Sequence, residues 1–348
     1  MTIEFIYFYY AVGILFGCQL LLLILLSIKK TKRNRKNKKQ EQLYQATLNE
    51  FVDFLYEEGR PLPDKLCNPE NIEVAERIFS ETITDINDPI MQRKLQDAAI
   101  SIFTEHYKKR LLKGNWPTRV NTLYFIEDFK IVSLLPVLQK MLQNLNKWDE
   151  EKNQTILALA AINDLTLVYY LNQSPDTKVS QYLDVFSRFD TENFEEAIHI
   201  SNDMKNFTCQ LAIINIISLM KKTKYQWMVE KELQSENMEM RIQALKGLYR
   251  LNYMKDIGLL VPFFQSLSWE ERLFSTRVAG ALLADQFEAH LEILIGDEEW
   301  WVRNAAAEAL LNIFGEEKLV QVESSHTDSF ARDMAKQWLT SGKRGSAN

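Results

Sequence analysis

Asp297-Glu-Glu-Trp-Trp-Val-Arg-Asn-Ala-Ala-Ala-Glu-Ala-Leu310 is the clearest copy of a pattern that runs through much of this chain. It places an arginine, Arg303, near the start of a helical pattern, with Ala307 and Leu310 four and seven positions on. Ala305, Ala306, Ala307 and Ala309 are small enough to let another helix approach closely. The same phase recurs. Arg241, Arg272, Arg303 and Arg332 are separated by 31, 31 and 29 residues. Their fourth and seventh followers are Leu245 and Leu248, Thr276 and Ala279, Ala307 and Leu310, Lys336 and Leu339, the seventh kept better than the fourth. Cys209 stands 32 residues before Arg241 with Ile213 and Ile216 at the same offsets, and Arg119 has Leu123 and Ile126. A fixed period of this length marks an architecture in which no helical pair covers its own apolar face, so neighbours stack and share one core.

Weaker copies stand at Asn115-Trp-Pro-Thr-Arg-Val120, Met240-Arg-Ile-Gln-Ala-Leu245 and Ala158 to Asp164. Together these segments resemble the first helix of a HEAT-like repeat, of the kind also found in phycobilisome-lyase-type proteins. Helix-closing turns recur at Ile126-Glu-Asp128, Ile162-Asn-Asp164 and Leu283-Ala-Asp285, and Leu134-Leu-Pro136 and Leu260-Val-Pro262 resemble the proline-containing entry to a second helix. The resemblance implies an all-α fold, a right-handed α-solenoid over residues 115–340, with 174–206 departing from the pattern. It also implies that the arginine opening each first helix pairs with acidic groups of the adjacent repeat rather than with a ligand.

Upstream, Asn68-Pro69 and Asp88-Pro89 each set a capping residue before a proline suited to the first helical position, predicting helices over 69–84 and 89–112. Leu43, Leu48, Phe51, Val52, Phe54 and Leu55 recur at helical spacing before Gly59, Pro61 and Pro63, predicting a helix over 41–58. Residues 41–114 read as an N-terminal helical cap, 115–340 as the repeat array and 341–348 as a disordered tail. Across 348 residues, 11 Gly and 8 Pro are too few for a turn-rich β-protein.

The N-terminus reads differently. Phe5 to Ile28 carries no charge, and at about 1.5 Å per residue it crosses a hydrocarbon core of about 30 Å with some tilt. Lys29, Lys30, Lys32, Arg33, Arg35, Lys36, Lys38 and Lys39 follow, against Glu4 alone on the other flank. The positive-inside rule then predicts a single-pass transmembrane helix over 5–28, an extracytoplasmic N-terminus over 1–4 and a cytoplasmic body in a cell membrane. Residues 29–40 read as a basic juxtamembrane linker or a frayed extension of the anchor, its cations lying against anionic lipid head groups. Gly13 and Gly17 stand four apart, a small-residue pattern that can pair two anchors into a homo-oligomer. Beyond residue 39 the chain keeps 33 basic and 46 acidic side chains, near −13, which argues against nucleic acid as a partner.

Three cysteines, Cys18, Cys67 and Cys209, form no CxxC pair, and no GxxxxGK[ST], GxGxxG, HExxH or GxSxG motif occurs. Glu196-Ala-Ile-His199 sets a carboxylate and an imidazole one turn apart, but a di-iron site needs two such pairs. The expectation is therefore no enzyme, no cofactor and no metal. What remains is binding, through exposed aromatics on the repeats. The candidates are Trp300 and Trp301, about 100° apart on a helix so that at most one points fully into the core, together with Phe263, Phe264, Tyr225 and Trp227. The reading is a membrane-anchored scaffold or adaptor for a protein partner. By fold-level analogy with accessory subunits of bacterial envelope systems, that partner is a membrane glycosyltransferase or another envelope enzyme. An enzyme or small-molecule sensor with a pocket in the groove of the array is the alternative, and a nucleic-acid tether ranks below it.

Overall fold

From Thr2 to Tyr56 a single helix, α1, runs without a break for 55 residues. The computed structural model describes the backbone of residues 2–174, 177–204 and 206–345, and their side chains except those of 2–12, 203 and 341–345. Every regular element among them is helical. The chain divides into two compact units, Met1–Asp164 and Leu165–Asn348, a boundary that falls inside the predicted array.

In the first unit α1 is followed by α2 (Asp64–Cys67), α3 (Ile72–Ile83), α4 (Pro89–Lys113), α5 (Trp116–Phe129), α6 (Leu135–Asn144) and α7 (Glu150–Ala161). The basic stretch 29–40 is helix rather than loose linker. Lys, Arg, Asn and Gln without Gly or Pro leave nothing to interrupt the backbone ladder, and Thr31 Oγ1 bonds back to the Ser27 carbonyl at 2.9 Å. The helix expected over 41–58 is the distal end of α1, stopped by Gly59 at φ +79°. Asp88 caps α4 as expected, its Oδ1 accepting from the N–H groups of Ile90 and Met91, whereas Asn68 caps a 3-10 turn, Pro69–Asn71, that leads into α3 at Ile72.

Aromatic rings build the core of this unit. Phe51 of α1 lies 4.8 Å from Phe79 of α3, Phe79 lies 5.1 Å from Phe103 of α4, and Phe103 lies 5.3 Å from Phe129 of α5. All four are fully buried, and offset or edge-on pairs add about 0.5–1.5 kcal/mol each to ordinary burial. The distal part of α1 is thus core, whereas the described residues up to Lys39 are exposed. Among the described residues α1 alone is long and apolar enough to cross a membrane, by length and composition.

The second unit contains α8 (Thr166–Gln173), α9 (Val179–Phe186), α10 (Thr191–Asp203), α11 (Phe207–Leu219), α12 (Gln226–Lys231), α13 (Met238–Leu251), α14 (Trp269–Ala281), α15 (Glu288–Leu294), α16 (Trp300–Phe314), α17 (Glu316–Ser325) and α18 (Ser329–Gly345). Longer helices α11, α13, α14, α16 and α18 pack successively side by side. Shorter elements lie between them, including a 3-10 helix at Ile257–Gln265 that contains Pro262. Gly280 permits a close helix–helix approach: a Cβ there would stand 2.8 Å from that of Ala309 on α16. Gly247 meets Ser218 Oγ and Ile214 Cγ2 in the same way, at 2.8 and 2.9 Å.

Left-handed residues close several of the longer helices: Lys130, Asn163, Lys221, Asn252 and Leu283 all have φ between 50° and 65°. The turns predicted at Ile162–Asp164 and Leu283–Asp285 coincide with two of these. Ile126-Glu-Asp128 instead lies inside α5, which continues to Phe129 and turns at Lys130. The irregular stretch 174–206 holds two helices, α9 and α10. The tail predicted from 341 is helical to Gly345, and residues 346–348, like Met1, lie outside the described residues.

Candidate functional site

Each repeat-phase arginine is a clasp. Arg272 Nη1 donates to the carbonyl of Ser266 at 2.7 Å, six residues back, while Nε and Nη2 grip Asp297 at 2.7 and 3.0 Å. Arg241 bonds the Ser235 and Glu236 carbonyls and Glu271 Oε1, the last at 2.7 Å. In the first unit Arg119 holds the Gly114 carbonyl and both oxygens of Glu151. Arg303 and Arg332 bind their own preceding carbonyls in the same way, at 2.6–2.9 Å. The carboxylate's place beside Arg303 is taken by the Phe330 ring, 5.0 Å away. Bonding to Asp297 raises the pKa of Arg272 further above its ordinary value. These guanidinium groups hold the chain to itself.

The clasps also fix where the helix starts lie. Arg241 joins the start of α13 to that of α14, Arg272 joins α14 to the turn before α16, and Arg303 joins α16 to α18. At the starts of α11, α13, α14 and α18 a capping side chain accepts from the first turn: Asn206 from Cys209 N, Asn237 from Met240 N, Ser268 from Glu271 N and Asp328 from Phe330 N, whereas α16 has no such cap and Asp297 Oδ1 accepts from Glu299 N instead. The residue after the cap has no turn beneath it, and its Cβ tilts toward the helix N-terminus, so its side chain stands beyond the helix end. In this position are Phe207, Met238, Trp269 and Trp300, spaced at 31 residues. Phe207 is 40%, Met238 51% and Trp300 41% exposed, Trp269 is half-buried, and Trp301 and Phe330 are exposed beside them. The result is an apolar edge with one or two large side chains per helix start.

No family model and no curated protein matches this chain. Among solved structures, an engineered protein is 15% identical across 87% of this chain and 96% of its own, at a TM-score of 0.38. Human deoxyhypusine hydroxylase in complex with glycerol is 15% identical across 87% of this chain and 98% of its own, at a TM-score of 0.28. Likeness at this level transfers no activity.

Against this geometry the six aromatic candidates separate. Trp300 and Trp301 are both exposed, their rings 4.8 Å apart and nearly perpendicular, so neither enters the core. Trp227 is also exposed. Phe263, Phe264 and Tyr225 are buried, at 7%, 3% and 7% exposed. Adjacent residues of a 3-10 helix differ by about 120°, and Phe263 and Phe264 both find cover, Phe264 against Phe287 at 4.9 Å and His290 at 5.1 Å. Tyr225 meets Phe194 edge-on at 5.9 Å. Phe207, Met238, Trp269 and Phe330 were missed, although their signal was available in the residue two or three before each phase position.

The basic residues of 29–39 are all exposed and, at 100° per residue, surround α1 rather than striping it. Lys36 turns to the body, bonding Glu73 at 2.7 Å, and Gln40 bonds the same carboxylate. Gly13 and Gly17 face open space.

Two grooves lie beside the clasps. One of about 520 Å³ is lined by Leu111, Arg119, Pro136, Met141 and Glu151 among others. A second of about 420 Å³ is lined by Leu233, Arg241, Pro262, Phe263 and Glu271. Each joins an arginine, its carboxylate and a second-helix proline, so the groove repeats with the architecture. Both arginines are already engaged, each by a carboxylate and a carbonyl.

Proposed function

We propose that this chain is a membrane-anchored adaptor. In this reading α1 spans the bilayer through residues 5–28, the body lies in the cytoplasm, and the longer helices belong to a right-handed solenoid of HEAT-like repeats. A protein partner docks along the edge formed by the helix starts, and the cytosolic part of a membrane enzyme such as a glycosyltransferase fits that position. The observation that carries the reading is the edge itself: large apolar side chains held exposed at successive helix starts. Isolated exposed apolar residues are ordinary, but a contiguous row rimmed by polar groups marks an interaction surface. Tethering both partners to one membrane raises their effective concentration without any new contact.

The test is site-specific photo-cross-linking of the full-length protein in its native membranes. A photoreactive residue at Met238 or Phe330 should give a discrete adduct, and one at the exposed off-edge positions Tyr249 or Val320 should not. Trp300→Ser with Trp301→Ser should abolish the adduct while leaving the protein in the membrane. Adducts of equal yield from all four positions, or none from the edge, would overturn the reading.

A further inference from the structure

We infer that the partner presents to this edge an extended cationic segment with a lysine or arginine at about every third residue; this rests on the docking reading above. Charge is the first argument. Glu236 and Glu239 beside Met238 are exposed, and the Glu298 side chain beside Trp300 is 83% exposed, reaching Arg272 only at 3.4 Å. The helix dipole accounts for Glu239, which lies in a first turn. Glu236 and Glu298 stand just before their helices, where the same dipole also favours an anion, and both remain exposed to solvent. Arg241 and Arg272 are balanced by the carboxylates they hold; Arg303 and Arg332, which hold backbone carbonyls only, keep their charge but are outnumbered by Glu236, Glu239, Glu298 and Glu299. The edge is left negative, with the indole rings of Trp300 and Trp301 exposed within it. Carboxylates and aromatic faces together favour cations, guanidinium above all.

Spacing is the second argument. Side-by-side helices stand about 8–10 Å apart. A polyproline II segment advances about 3.1 Å per residue with three residues per turn, so every third side chain recurs after about 9 Å on one side. Such a segment crossing the starts of α13, α14, α16 and α18 sets one cation at each. An anionic lipid surface carries the same sign of charge as this edge and is disfavoured.

The experiment places the full-length protein in phosphatidylcholine nanodiscs and titrates it against fluorescein-labelled (Arg-Pro-Ser)4. The comparison is an isomer of the same composition with its four arginines contiguous. The spaced peptide should bind at least fivefold more tightly. Glu236→Lys with Glu298→Lys should weaken it tenfold or more, and Trp300→Ser with Trp301→Ser at least threefold. Glu316→Lys with Glu317→Lys, exposed at the start of α17 and off the edge, should leave it within twofold. Equal affinity for the two peptides, or equal loss from the off-edge reversal, overturns the proposal by reducing it to general acidity. So does a shift of tryptophan emission with phosphatidylcholine–phosphatidylglycerol (7:3) vesicles that the peptide does not produce. If edge cross-links persist while neither peptide binds, the partner's chemistry is wrong and the docking edge stands. If both fail, the docking reading falls as well.

Discussion

Arg272 is the most enclosed of the clasps, its side chain 10% and that of Asp297 8% exposed. A charge pair this buried contributes little net stability relative to an apolar pair, but breaking it strands the partner. Arg272→Ala leaves Asp297 buried and uncompensated, and should cost about 3–5 kcal/mol in urea unfolding followed by tryptophan emission. Arg272→Ala with Asp297→Asn removes the stranded charge while retaining the acceptor that caps Glu299 N, and should recover most of the loss. A single-variant cost under about 1 kcal/mol would mean that the clasp is dispensable.

At the scale of elements, the junction of α1 with α3 controls how rigidly any anchor is joined to the body. Glu73 is held below the ordinary carboxylate range by hydrogen bonds from Lys36 and Gln40. Glu41 is held low by Gln45 and Arg77, and Glu81 by Tyr44 and Arg77. Carboxylates with lowered folded pKa values contribute stability above their ordinary value of 4.5, and lose it as pH falls through the folded values. These groups are exposed, so the effect is local rather than global. Amide exchange over residues 36–44 should be slow at pH 6 and accelerate below about pH 4, while residues around Phe51 and Phe79 stay protected. Exchange over 36–44 that is no faster at pH 3.5 than at pH 6, after correction for intrinsic rates, would show that apolar packing alone seats α1. From the end of the apolar run at Ile28 to Lys36 is about 12 Å along the helix, and to Tyr44 about 24 Å, so a seated α1 fixes the body's distance from any membrane.

For the whole molecule, the cysteines report topology without engineering. Cys67 is exposed on the body, whereas Cys209 is buried and its thiol is pushed up to about 11 by desolvation. A membrane-impermeant maleimide at pH 8 should leave Cys67 unlabelled in intact cells and label it once the membrane is permeabilised. Cys209 should stay unreacted until the protein unfolds, because the thiolate is the reactive form. Labelling of Cys67 in intact cells would place the body outside and remove the basis for a cytoplasmic partner.

The all-helical class, the capping positions Asn68 and Asp88, the phase of the arginines and the uncharged run to Ile28 were legible from the residues alone. Each is a local property: a capping oxygen, a recurring offset or an absence of charge is fixed by neighbours a few residues away. The composition of residues 29–40 allowed either a linker or an extension of the anchor, since Lys, Arg and Gln favour helix but bury nothing; the structure shows one continuous α1, seated on Glu73 through Lys36 and Gln40. It also separated Trp300 and Trp301 from Phe263, Phe264 and Tyr225, which composition cannot distinguish. Exposure of an aromatic ring depends on which elements cover it, and that cover comes from residues 23 to 31 positions away.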